Sequence, residues 1–333
     1  MYSGGSGTKQ DPYLIATKAD IELMFQNAED ENYYKQIADI DMLGAEYSWQ
    51  GDYKGAYDGQ NYKISNVNFS AGMGAGFFGR VYKMTDFDGD AQIKNVRLVA
   101  ISVSGDFDCG CFAGSLSGVT VRNCHVESGE VTSLDGINFP SSAGGFAGSV
   151  IESQILDCSF SGTIEAGSGS AGFVSSCWDG VISNCIVNAL IKYNESHIAG
   201  LVSNLSHDSI VEKCKVQVIF EDIPGTWFSP EVGGIAVTCN GYIGQCTCDI
   251  SVNNNRSCYH VGGIAAVMQA REWQEEQYNP IIEDCYVHFN DAVFGNKNEH
   301  SYIGGIAARI EARDSCNATI RNCYVSGSIK IEI

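Results

Sequence analysis

From about residue 60 onward the chain rewrites one pattern of apolar and polar positions. Its plainest copy is ATIRNCYVSGSI, residues 318–329. From the cysteine onward, Cys323, Val325, Gly327, Ile329 and Ile331 fall on one side, and Tyr324, Ser326, Ser328 and Lys330 on the other. A period of two predicts a strand with one buried face. The phrase recurs upstream as VTVRNCHV, SQILDCSF, GVISNCIV, SIVEKCKV, GYIGQCTC and PIIEDCYV. Aligned, the copies place Cys124, Cys158, Cys185, Cys214, Cys246, Cys285 and Cys323 in one column, which two earlier copies fill with Val67 and Val96. A glycine phrase, such as GGFAG, AGLVS or GGIAA, accompanies each copy. It aligns Gly76, Gly145, Gly172, Gly200, Gly234, Gly263 and Gly305, with Cys111 the exception and a large apolar residue next.

Neighbouring copies lie 27 to 39 residues apart, a spacing that predicts a solenoid. No helical stripe runs through the repeats, which excludes leucine-rich, ankyrin and tetratricopeptide arrays. Most copies are too short for the four strands of a propeller blade. The expected fold is all-β: a right-handed, single-stranded parallel β-helix of about nine coils. Each coil leaves its inner face bare until a neighbour covers it. Eight steps of about 4.8 Å give a cylinder roughly 40 Å long. Asn66, Asn95, Asn123, Asn184 and Asn322, with Asp157 and Asp284, precede the column. Asparagine tolerates the left-handed conformation at a corner and can hydrogen-bond along the stack.

Residues 3–42 differ. Thr17 and Asp20 form a capping-box-like start, and Ile21, Leu23, Met24 and Ala28 give an apolar stripe, predicting a helix over about Lys18 to Gln26. YYKQIADIDM reads as one strand after it. We expect residues 1–50 to cap the open core end and residues 51–333 to form the coils, which continue past Ile333.

Composition narrows the possibilities. A formal net charge of −20 argues against nucleic acid or an anionic membrane as partner. No apolar run is long enough to insert in a membrane. There is no signal-peptide pattern, as in a mature chain whose signal has been removed. Fourteen cysteines invite a disulfide reading. A column that also accepts valine instead marks buried thiols.

The glycine phrases, each paired with an I-x-N-C-x-V phrase, resemble GLUG-motif repeats, and the opening GSGTKQDPYLIATKADIELM resembles the N-terminal cap of such proteins. The resemblance covers nearly the whole chain. It implies a fold similar to that of pectate lyases and a place among bacterial surface proteins, adhesins or the non-catalytic parts of secreted proteases. It implies no site, so function has to be argued from side chains.

Insertions are where chemistry is expected. QAREWQEEQYNP and RIEARDSCNA belong to adjacent coils and bring Arg271, Trp273, Tyr278 and Arg313 together as candidate ligand-binding residues. Trp227 and Phe228 in FEDIPGTWFSP join them; a solvated loop pair and aromatics packed onto the coil are the plainer alternatives. Asp86, Asp88 and Asp90 offer three carboxylates to Ca²⁺ but lack the rest of a calcium loop, so a plain acidic turn is preferred and no cofactor is expected. His288 is expected beside Asp249, and His125 with Glu127 and Arg97, as ladder contacts. Cys246, Cys248, Cys258 and His260 fit no familiar zinc spacing.

The expectation is thus a secreted or cell-surface, adhesin-like β-helix. It binds a glycan or a host or neighbouring-cell protein without catalysis. A polysaccharide lyase or glycoside hydrolase, including one on a phage spike, is the alternative, and a structural stalk is the third reading.

Overall fold

The computed structural model describes residues 1–48, 51–133, 142–193, 197–206, 208–223, 230–257, 260–273, 276–295, 302–313 and 316–332. The architecture is a parallel β-helix, whose strand-to-strand crossovers favour the right hand. Strands stack into sheets of eleven, ten, ten and five members. One coil shows the plan. Ser170–Ala171 belongs to the short sheet, Val174–Trp178 to a ten-stranded sheet, Val181–Ser183 to the eleven-stranded sheet, and Ile186–Tyr193 to the other ten-stranded sheet. Pairing between coils is parallel throughout the described residues, and the one antiparallel pair is a hairpin within a single insertion.

Each sequence column has a physical role. Asn95, Asn123, Asp157, Asn184, Lys213, Gln245, Asp284 and Asn322 all have φ between 52° and 59°. They turn the chain from the eleven-stranded sheet into the next. In the first copy the corner is Asn61 (φ 62°), not Asn66: Lys63 pairs with Arg97, so Asn66 and Val67 lie within the strand Lys63–Met73, with Val67 beside Ile101. Their amides climb the stack: Asn123 Nδ2 donates to Asn95 Oδ1 at 2.8 Å, and Asn184 Nδ2 to Asp157 Oδ1 at 2.7 Å. The cysteines that follow are free. Their thiols donate to the carbonyl two residues back, as at Cys158 (3.1 Å), Cys214 (3.2 Å) and Cys285 (3.1 Å). Cysteine here is a small apolar residue that also satisfies a corner carbonyl. Burial pushes the Cys158 thiol well above its ordinary range, and the hydrogen bond with the Cys214 thiol does the same for Cys246.

The glycine column exists for close approach. A Cβ on Gly172 would sit 2.2 Å from the Gly200 carbonyl oxygen, and one on Gly200 2.1 Å from that of Gly234. The first copy departs from the aligned register. Phe77, not Gly76, stands over Cys111, to whose carbonyl its N–H donates at 3.1 Å, while Gly76 lies against Gly110. Phe77 fills the space beneath the cap, 5.5 Å from the ring of Phe25.

The cap helix spans Lys18–Gln26, with Thr17 and Asp20 in a reciprocal capping box. The run read as one strand is two, Tyr33–Gln36 and Ile40–Tyr47, in different sheets. The corner between them is held by Gln36, whose buried amide bonds the Ala38 and Lys63 carbonyls. Tyr13–Ile15, Tyr33–Gln36 and Ile40–Tyr47 already stack in register with the coils. The ten-stranded sheet that begins at Ile40–Tyr47 consequently has one rung more than the repeat phrase supplies.

Alternation holds inside the stack. Cys185, Val187, Ala189, Ile191 and Tyr193 are buried, and Ile186 and Asn188 are exposed. In the last coil Val325 is 46% exposed where its neighbour Val287 is fully buried, because the described residues place no coil above it.

Candidate functional site

A cleft of about 390 Å³ opens on the eleven-stranded sheet beside the cap. The loop at Lys9–Pro12 forms one wall and the insertion at Phe87–Lys94 the other; strands Tyr33–Gln36 and Ala56–Asp58 lie between. The rings of Tyr33 and Phe87 stack across it, with centroids 6.4 Å apart and planes at 26°. Gln92 pins the insertion. Its buried Nε2 donates to the Gly55 and Tyr82 carbonyls at 3.0 and 2.9 Å, and its Oε1 accepts from Met84 N–H at 2.9 Å. Glu31 holds the other end, accepting from the N–H and hydroxyl of Thr85. Those two bonds set the Glu31 carboxyl below its usual range. Beneath the cleft, Tyr57 is buried and donates to Gln36 Oε1 at 3.1 Å. Desolvation raises the Tyr57 phenol.

Charge lines this floor in a row. Lys35, Asp58, Lys94 and Arg122 occupy matching positions on four successive rungs. Asp58 Oδ1 accepts from Asn95 Nδ2 at 2.9 Å and from Gln60 N–H at 3.1 Å. The arrangement offers two aromatic faces for a flat apolar surface, with lysines and a carboxylate for polar groups around it.

The three aspartates considered for calcium are spent otherwise. Asp88 pairs with Lys9, and Asp90 with Lys94 at 3.5 Å. The hydrogen bond from Lys9 holds the Asp88 carboxyl low, and the charge of Lys94 does the same for Asp90. Asp86 sits at a left-handed corner with φ 53°. No group of three His, Cys, Asp or Glu side chains among the described residues is placed to hold a metal. Cys246 and Cys248 are buried in the core, His260 lies in the short sheet, and Cys258 is outside the described residues.

The two adjacent insertions do lie side by side. Ala265–Trp273 folds into a hairpin with Glu276–Tyr278, placing Arg271 opposite Tyr278, and Ala307–Ala312 pairs alongside. Arg271 and Arg313 flank a recess of about 80 Å³ with Gln269 and Glu311. Arg309 pairs with Glu311 at 2.6 Å. The Trp273 side chain, Trp227 and Phe228 lie outside the described residues. The structure thus brings together Arg271, Tyr278 and Arg313 from that set.

The expected ladder contacts are present. His288 neighbours Asp249 and bonds Ser326 at 2.8 Å. Arg97 pairs with Glu127 at 2.7 Å, and His125 lies between Ser159 and Asn123. Burial lowers the His125 imidazole.

One polar group was not anticipated. Glu231 bridges two histidines: Oε1 meets His260 Nδ1 at 2.7 Å and Oε2 meets His197 Nε2 at 3.2 Å. His260 is fully buried and stacks on Tyr302 at 5.4 Å. The signal was in the sequence: HIAG, EVGG, HVGG and YIGG put these four residues three places before the column glycine.

Fold and columns together define a parallel β-helix built on a glycine–asparagine–cysteine repeat. No protein-family model matches the chain. A stretch of 144 residues, 40% of this chain, is 33% identical to halomucin of Haloquadratum walsbyi, and spans 2% of that protein. Among solved structures, the chain resembles a putative immunoglobulin A1 protease from Bacteroides ovatus. The TM-score is 0.58 and the identity 20%, covering 97% of this chain and 86% of the other. It also resembles an IgA1 protease, with TM-score 0.51 and identity 14%, covering 86% of this chain and 22% of the other. These likenesses are of fold. No helix among the described residues is long and apolar enough to cross a membrane.

Proposed function

We propose that this chain is a binding module of a secreted or cell-surface protein and holds a glycan in the cleft beside the cap. The repeats are read as GLUG-type, with residues 1–50 as the cap and 51–333 as the coils stacked on it. The observation that supports this reading is the stacked pair Tyr33 and Phe87 over a floor of charged side chains. Aromatic faces with a few polar groups around them suit a sugar ring, which is apolar on its faces and polar at its rim. The surface of Arg271, Tyr278 and Arg313 is kept as a second contact surface for a protein partner.

A catalytic reading has one observation in its favour. Asp58 and Asp90 share the cleft with lysines, and a lyase or hydrolase needs carboxylates, or a carboxylate with a base, in one groove. A glycan array followed by a reducing-end release assay separates the two. Binding without release, reduced at least tenfold by Tyr33→Ala or Phe87→Ala, is the expected result. Release of sugar ends that disappears in Asp58→Asn establishes the enzyme instead.

A further inference from the structure

We infer that the ligand of the cleft is an anionic glycan, carboxylated or sulfated, lying along the helix axis over Lys35, Lys94 and Arg122. This inference rests on the glycan reading above and adds the ligand's charge and direction.

The first ground is charge. The chain carries 40 acidic side chains against 20 basic ones, so an arbitrary patch of its surface is acidic. The cleft evens out this balance: Lys9, Lys35 and Lys94 line it against Asp58 and Asp90, with Asp88 paired to Lys9. A neutral sugar needs no such local gain of positive charge, whereas an anion approaching a strongly acidic protein does.

Availability of the cations is the second. Lys9 and Lys94 are held by aspartates on exposed side chains. Exposed pairs of this kind contribute little, so a ligand anion can take the place of either aspartate. Lys35 forms no ion pair among the described residues, is exposed and lines the floor.

The third ground is spacing. Lys35, Asp58, Lys94 and Arg122 follow one another at one residue per rung, about 4.8 Å each. Cations therefore stand at the first, third and fourth steps. The carboxylate at the second is turned to Asn95 and Gln60, whose donors neutralise part of its field. Arg122 is shared with Asp157 at 3.2 Å and extends the row one coil past the cleft. Such a row suits a polymer with negative groups at regular intervals better than a single anion.

The test is calorimetric titration of the full chain with size-matched neutral, carboxylated and sulfated oligosaccharides at low and high salt. The expected result is that an acidic series binds at least tenfold more tightly than the neutral one and weakens as salt rises. Lys35→Ala combined with Lys94→Ala should remove at least tenfold of that affinity, while Lys215→Ala on a distant coil should not. Preference for carboxylated or for sulfated ligands alone identifies the anion and supports the inference equally. If neutral oligosaccharides bind as well as acidic ones, and the lysine variants bind like the parent, the inference falls while the glycan reading stands. If no series binds, both fall. Circular dichroism and thermal melting confirm that each variant is folded.

Discussion

Beneath the cap, the residue that follows the column position is Phe78, Phe112, Phe146 and Phe173 on four successive coils. Farther on the same place holds Leu201, Ile235, Ile264 and Ile306. The phenylalanines form a continuous stack, with Phe112 and Phe146 4.5 Å apart at 10° and Phe146 and Phe173 4.8 Å apart at 28°. At the cap this stack meets a cluster of Phe25, Tyr47, Phe69 and Phe77. The later coils are aliphatic at this position, although Phe220 and Phe289 remain buried elsewhere in their core, and they have the longest steps between repeats and the hairpin insertion. One backbone plan thus tolerates two core chemistries. The repeat sets how coils stack, and departures from it (the cap, the insertions, the slipped register at Phe77) create recesses.

The contrast can be broken at its centre. Phe146→Ala should cost about 4 kcal/mol, because it empties a buried ring from the middle of the stack. Leu201→Ala, two coils on, should cost about 3 kcal/mol. Chemical denaturation of both variants measures the difference, and equal losses would show that ring stacking adds nothing. Gly200→Ala comes next, at about 2 to 3 kcal/mol, since its new Cβ meets the Gly234 carbonyl at 2.1 Å and Val216 at 2.9 Å. A variant as stable as the parent would show that neighbouring coils can separate at that corner.

The smallest effect concerns the cap. Burial raises the Asp20 carboxyl, but hydrogen bonds from Ala16, Ser3 and Thr17 outweigh it and set the group below its ordinary range. A depressed folded value means that ionised Asp20 stabilises the fold above the unfolded carboxylate range. That contribution is lost as pH falls through the folded value. Asp20→Asn should therefore cost about 1 to 2 kcal/mol at pH 7. The gap should close in acid, as pH falls below the ordinary carboxylate range and through the lower folded value. Melting curves across pH check this, and a gap that widens in acid would refute the assignment.

Columns were legible in the sequence because each is repeated by the same local need. Left-handed corners select asparagine, touching backbones select glycine, and a corner carbonyl within a small buried space selects cysteine. The cap helix was legible because Thr17 and Asp20 are local to it. The cleft was not, because Tyr33 and Phe87 meet only once the coils are in register. Asp88 could be read only as part of an acidic turn, with calcium the weaker alternative, because its partner Lys9 is 79 residues away in the chain. The column of His197, Glu231, His260 and Tyr302 was readable but was hidden beside a louder glycine signal.

The glycan reading is tested most directly by titrating one array-selected oligosaccharide into the parent chain and two paired variants. Tyr33→Ala with Phe87→Ala should lower affinity at least tenfold, and Arg271→Ala with Arg313→Ala should leave it unchanged. Loss in the arginine pair with full binding in the aromatic pair would contradict the account and move the site to the hairpin.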